Sequence, residues 1–330
     1  MAKSIPEEPK TAFETKLDSG LTVYKMMKQK YAANRDALEI LDWAQDLEGI
    51  YTAPGAHAAG MIISDNDEVK EYVPLRWNEK LHEYTTQTDM IESEAKGLLK
   101  MDMLGLTTLD VITNCLMLVE RRTGKVIDPL KDIPMEDKDV YEQIFQKGAT
   151  NAVFQFESEG MKTMLRKFKP DKFTDLVLLN AMFRPGPLQY LDDVIAVKNG
   201  SKPLAYLTPE LEPILQSTYG AIAYQEQVMA IFQRLAGYSL GGADLVRRAM
   251  SKKHLDQIEA ERQAFIHGDE KRGIKGCVAN GINAEAANQL FDQMTAFASY
   301  AFNKSHAAAY SANAYYTAWL KLHYPAEFLA

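Results

Sequence analysis

The 330 residues carry 45 acidic and 37 basic side chains, a net charge of −8, with 46% hydrophobic and 25% charged residues. Those ordinary globular proportions exclude a disordered chain, a collagen-like repeat and a disulfide-stapled secreted module. At about 150 residues per domain the length suggests two domains, and the negative balance argues against binding nucleic acid through bulk charge. The charge is uneven, however. The first hundred residues hold 18 acidic against 12 basic side chains, whereas residues 201–330 balance and contain a tight basic cluster. The two cysteines, Cys115 and Cys277, lie far apart without CxxC spacing. This disfavours a structural zinc site and fits a reducing, cytoplasmic setting. No apolar run approaches ~18 residues, so no membrane span is expected, and MAKSIPEEPK lacks the apolar stretch of a signal peptide.

The first 30 residues read as a polar lead-in to a helix over about 33–48, where Ala37, Ile40, Leu41 and Ala44 recur at helical spacing. Pro54-Gly55 ends that pattern. HAAGMIIS (57–64) predicts a buried strand, followed by a turn at Asp65-Asn66-Asp67. A second strand is expected over 97–103. Thr107 or Thr108 is expected to cap a helix carrying Leu109, Ile112, Leu116 and Val119 and ending near Gly124. From about residue 138 the pattern turns predominantly helical. Val140, Ile144 and Phe145 mark one helix, closed by Gly148. Met161, Met164, Leu165 and Phe168 mark the next, with Ser158 as N-cap. Arg184-Pro185-Gly186-Pro187 requires a rigid turn. Val228, Ile231, Phe232 and Leu235 define another helix. Gly241-Gly242 is expected to punctuate the chain before a helix over about 243–253, and a charged helix follows over 255–267. A last helix, rich in Ala and Tyr, is expected over 305–322, stopping before Pro325.

Four places carry chemistry in this reading. Asp102 ends the second strand among Leu and Met, where an isolated carboxylate is costly to bury unless it is paired or metal-bound. Lys100, two residues earlier, shares its strand face. The pair suits either a surface ion pair or an anionic substrate carried with a divalent cation. Lys162, Arg166 and Lys169 share the helix face opposite the apolar stripe, either a solvated face or a ridge tracking phosphates. Arg247, Arg248, Lys252 and Lys253 crowd four positive charges into seven residues, which becomes favourable when an anion sits between them. A flexible solvated helix is the alternative. Asn303 or Ser305 caps the final helix. Lys304 at that N-terminus opposes the helix dipole unless an anion lies there. His306 and Tyr310 share a face, and His57 is a further polar candidate. No Walker A loop, GxGxxG, GxSxG or HExxH occurs.

Read together, HAAGMIIS, GLLKMDMLGLTTLDVI, AVFQFESEGMKTML, LNAMFRPGP, YGAIAYQEQVMAIFQRLAGYSLGGADLVRRAMSKK and FASYAFNKSHAAAYSANAYYTAWLKLHYPAEFLA closely resemble the alpha subunit of bacterial DNA polymerase III, the C-family replicative polymerases. The stretches fall in family order from about residue 35 onward. The resemblance implies an α+β, mostly helical fold: part of a polymerase-beta-like nucleotidyltransferase palm plus large helical fingers. Residues 1–52 would be the end of the thumb, 53–108 the C-terminal part of the palm, and 109–330 most of the fingers.

It also implies roles. Asp102 matches the third of three palm acids that hold two magnesium ions, and Lys100 the basic residue beside it. Arg247 and Arg248 match fingers arginines that contact the nucleoside triphosphate. Arg184, Asn303, Lys304 and His306 are expected nucleotide or DNA contacts, and Lys252, Lys253, Lys162 and Arg166 further cationic ones. The implied partners are primer–template DNA and a deoxynucleoside triphosphate, with the sliding clamp and other replisome subunits reached through regions outside these residues. The family's other two acids lie in an Asp-x-Asp motif upstream of the thumb, which this chain begins too late to include. The isolated chain is therefore expected to be inactive. The alternatives are a non-catalytic piece that binds DNA or nucleotide, and one half of a split polymerase.

Overall fold

A computed structural model describes residue 13 and residues 21–50, 55–57, 59–184, 186–251, 255–298 and 302–330. The chain divides into two compact units, Met1–Gly105 and Leu106–Ala330. Among the described residues it is mostly helical, with a few short strands confined to the first unit.

In the first unit α1 (Val23–Lys30) packs on α2 (Arg35–Leu47). Phe13, Val23, Met27 and Leu41 form the small core between them. The Asn34 side chain accepts from the Ala37 N–H and starts α2 where the periodicity places it. The strands make two separate antiparallel pairs. β1 (Gly60–Ile63) pairs with β4 (Leu99–Asp102), and β2 (Leu75–Asn78) with β3 (Glu83–Thr86). Across the second pair Trp77 meets Tyr84 edge to face at 5.1 Å. Between β3 and β4 lies α3 (Met90–Ala95), whose Asp89 and Glu92 form a reciprocal capping box.

The buried strand expected at 57–64 is corrected. β1 is short, and Met61 and Ile63 are exposed. Their cross-strand neighbours Met101 and Leu99 are exposed as well, so one whole face of the β1–β4 pair is apolar and open. An apolar sheet face of this kind attracts other apolar surfaces. The double variant Met61→Thr with Met101→Thr is expected to roughly halve the fluorescence of a bound apolar dye and to lower light scattering on concentration. Equal dye binding by the variant would mean that this face is covered in solution.

The second unit is built on two cores. α4 (Thr107–Thr123), α6 (Glu159–Phe168), α7 (Phe173–Met182), α8 (Leu191–Lys198), α14 (Lys304–His323) and α15 (Pro325–Leu329) enclose the first, with the one-turn α5 (Pro129–Asp132) beside it. At its centre α7 buries Leu176, Val177, Leu178, Leu179, Ala181 and Met182 against α14. Small residues on α14, among them Ala307, Ser311 and Ala314, are themselves buried. The second core joins α9 (Glu212–Leu215), α10 (Gln225–Ala236), α11 (Leu240–Ser251), α12 (Leu255–His267) and α13 (Ala284–Ala298). Among the described residues no helix is long and apolar enough to cross a membrane.

Several local expectations change. Leu106, not a threonine, is the N-cap of α4 and makes no side-chain capping bond, while Thr107 is already helical. Gly241 and Gly242 lie inside α11, because the Ser239 hydroxyl accepts from the Gly242 N–H and starts the helix earlier. Val140–Phe145 is a turn of π-helix, with the Gln146 N–H bonded to the Tyr141 carbonyl five residues back. Ser158 caps α6 and Gly124 ends α4 as expected.

Candidate functional site

β4 ends on Asp102, opposite Gly60 in the register with β1, and the two-residue alternation sets Lys100 on the same face. Lys100 Nζ lies 2.7 Å from Asp102 Oδ1, and His57 Nδ1 lies 3.8 Å from the same oxygen. Gly60 makes this possible: a Cβ there would stand 2.9 Å from both His57 Nδ1 and Lys100 Cε. The hydrogen bond from Lys100, aided by its charge, holds the Asp102 carboxyl below the ordinary carboxylate range. The side chain of Asp102 is 42% exposed, so the burial cost anticipated for it does not arise. Among the described residues no group of three His, Cys, Asp or Glu converges. Asp102 is thus one hard oxygen donor of the kind magnesium takes, and the described residues alone do not complete a metal site.

In the second unit Arg247 and Arg248 converge on one carboxylate. Arg247 Nε and Nη2 lie 3.0 and 2.8 Å from Asp244 Oδ1, and Arg248 Nε lies 2.8 Å from Asp244 Oδ2. Asp244 stands three and four residues before them, on the same helix face, and quenches the mutual repulsion read from the arginines alone. The hydrogen bond from Arg247 is the main reason its carboxyl sits below the ordinary range. Arg248 stays largely exposed. Lys252 and Lys253 lie outside the described residues.

A second group gathers where α14 begins. Asn303, rather than Ser305, is the N-cap, its side chain accepting from the His306 N–H at 2.9 Å. The anion that the position of Lys304 calls for is internal. The Glu226 carboxylate, from the first turn of α10, accepts from the Lys304 N–H at 3.0 Å through both oxygens. The Arg184 guanidinium lies 4.1 Å from the centre of the Phe302 ring and donates through Nε to the Ala181 carbonyl at 2.8 Å. Burial lowers its pKa from the ordinary value. Phe302 meets His306 edge-on at 5.1 Å, and His306 stacks on Tyr310 at 4.1 Å. Four sequence candidates, Arg184, Asn303, Lys304 and His306, therefore share one neighbourhood. The turn before it passes through Gly186 at φ +98°, a left-handed value that suits glycine.

Lys162 and Arg166 stand elsewhere, on α6. Lys162 is 12% exposed and pairs with Glu159 at 2.7 Å, while Arg166 Nε donates to the Lys147 carbonyl at 3.1 Å. Lys169 is the C-cap of α6, at φ +53°. Lys321, which no sequence pattern marks, donates to the carbonyls of Ala149 and Asn151 at 2.7 and 2.8 Å. Burial first, and Lys162 second, lower its pKa. Asp244 was within reach of the sequence by helical spacing, but Glu226 precedes Lys304 by 78 residues and no local pattern links them.

Sequence comparison accounts for both units. The profile of the bacterial DNA polymerase III alpha subunit finger domain matches residues 108–273. The profile of the bacterial DNA polymerase III alpha NTPase domain matches residues 1–105. The chain is 43% identical to the DNA polymerase III subunit alpha of Pseudomonas aeruginosa over 324 residues, covering 95% of the chain and 27% of that protein. It is 42% identical to the subunit of Escherichia coli K12 over 329 residues, and 41% identical to that of Pasteurella multocida, covering 95% of the chain and 28% of each relative. The chain belongs to the bacterial DNA polymerase III alpha subunit family. It spans little more than a quarter of the length of these curated relatives.

Proposed function

We propose that this chain is the part of a replicative DNA polymerase that closes the palm and builds most of the fingers, working in template-directed addition of deoxynucleoside triphosphates to a primer 3′-hydroxyl. Residues 1–52 would belong to the thumb, 53–108 to the palm and 109–330 to the fingers. The observation that carries the reading is the Lys100–Asp102 pair, 2.7 Å apart on one strand face, in a chain of this family. Asp102 is the oxygen ligand this chain would contribute to catalytic magnesium, with the other ligands coming from outside the described residues. Lys100 holds that carboxylate ionised and adds positive charge beside an anionic substrate. Arg247 and Arg248, fixed by Asp244, hold the triphosphate and, when none is bound, contact the DNA phosphates. Arg184, Asn303, Lys304 and His306 make the second set of nucleotide or DNA contacts, and Lys252, Lys253, Lys162 and Arg166 add cationic ones. The sliding clamp and other replisome subunits are partners of the whole subunit in this reading. By itself the chain binds without chemistry.

Binding of the purified chain to labelled primer–template DNA, followed by anisotropy across a salt series, tests this. Affinity should fall steeply with salt, and Arg247→Ala with Arg248→Ala should flatten the logarithmic slope by about 2, since each lost phosphate contact removes ~0.9. A slope unchanged in the double variant would remove these arginines from the interface. Absence of binding at low salt would reject the reading.

A further inference from the structure

We infer that Glu226 is a positioning residue for the nucleotide-contact segment Phe302–His306, acting through the bond from its carboxylate to the Lys304 N–H; this inference rests on the polymerase reading above. The segment is stitched to the start of α10 by three sets of bonds. The Gln225 N–H donates to the Phe302 carbonyl at 2.9 Å, and the Phe302 N–H to the Ala223 carbonyl at 3.3 Å. The third set is the Glu226 carboxylate on the Lys304 N–H.

The first two are backbone bonds that any side chain permits. The third depends on one residue's length and oxygen. It lands on the first N–H of α14, one of the donors that a helix leaves unsatisfied. Asn303 satisfies the His306 N–H beside it. Together the two side chains set where α14 begins, and hence where Lys304 and His306 project.

The start of α10 is itself tied down by hydrogen bonds. Gln227 is buried, and its side-chain oxygen accepts from the N–H groups of Ala223 and Tyr224 at 2.8 and 2.9 Å. Its amide nitrogen donates to the Ile214 carbonyl and the Thr218 hydroxyl at 3.1 and 2.8 Å. Tyr224 belongs to the first core and Val228 to the second, so the three residues between them lie on the seam of the unit. Glu226, half-buried at that seam, transmits its position to a segment 78 residues away.

Charge alone predicts the opposite behaviour. A carboxylate near a phosphate-binding segment repels its ligand, so removing it would tighten binding. Positioning predicts weaker binding when the acceptor is lost and no loss when only the charge is lost. Three variants of the full chain separate these: Glu226→Ala, Glu226→Asp, which keeps the charge but falls one methylene short, and Glu226→Gln, which keeps the reach and an acceptor oxygen.

Affinity for labelled primer–template DNA should drop about fivefold or more in the alanine and aspartate variants, and stay within about twofold of native in the glutamine variant. In 15N-labelled protein the amide signals of Asn303 and His306 should move in the first two and hold in the third. If the alanine variant fails to fold, the aspartate variant carries the test. Unmoved amide signals in Glu226→Asp, or a glutamine variant as weak as alanine, would overturn the inference. Native protein that binds no DNA, with the amide shifts as described, would instead overturn the polymerase reading and leave the positioning standing.

Discussion

Replacing Asp102 with alanine is expected to lower primer extension on the order of a thousandfold, measured in a chimaera where this chain stands in for the matching stretch of the Pseudomonas aeruginosa subunit. In the proposed role the carboxylate is an oxygen ligand at a phosphoryl-transfer centre, where fixed charge provides most of the catalysis. Asp102→Asn should fall nearly as far, because it keeps the shape and loses the charge. The folded state should hardly notice either change. The residue is exposed, its partners are Lys100 and His57 at the strand end, and surface ion pairs contribute little. Rate loss with an unchanged melting curve would therefore assign the carboxylate to chemistry. A chimaera that keeps more than about a tenth of native extension after the substitution would exclude it from that role.

Asp175→Ala should cost the second unit about 3–5 kcal/mol, the range for breaking a buried ion pair from one side. Asp175 is fully buried, and the Lys198 side chain is 6% exposed. One carboxylate oxygen accepts from Lys198 Nζ at 2.7 Å and from the Asp171 N–H at 3.1 Å, and the other from the Tyr219 hydroxyl at 2.7 Å. Truncation strands the ammonium with an exposed Asp171 and the Tyr219 oxygen at 3.1 and 3.3 Å. It also loosens Tyr219, which sits at φ +55° and needs its contacts to stay there. Replacing both charges, Asp175→Leu with Lys198→Met, should recover most of the loss. Urea unfolding reports this through Trp319, buried in the second unit, once the exposed Trp43 and Trp77 are changed to Phe. A shift below about 1 kcal/mol in Asp175→Ala would mean that water enters and solvates the lysine.

The helices most legible in the sequence are those where a periodic apolar stripe meets a cap. Ser158 with the Met161, Leu165 and Phe168 stripe yields α6 as observed, and the long Ala–Tyr helix ends before Pro325. α7 leaves no periodic signal in the sequence, for a physical reason. Phe173–Met182 is apolar on nearly every side because it is the centre of a core, so it has no helical stripe to detect. α3 and the β2–β3 hairpin are not among the expected elements, although Asp89 and Glu92 spell a capping box. The exposed face of β1 could not be read at all, since a run of apolar residues looks the same whether or not something covers it.

At the candidate site the split falls between local and distant partners. Spacing alone placed Lys100 beside Asp102 and His306 against Tyr310, and left Asn303 and Ser305 as the two candidate caps of α14, because strand alternation and the helical turn fix neighbours within a few residues. It also showed that Lys304 needs a negative partner. Which group answers that need, and which ring receives Arg184, was decided only by tertiary structure. Glu226 and Phe302 arrive from elements 78 and 118 residues away, and side chains so distant in the chain meet only through the packing of the second unit.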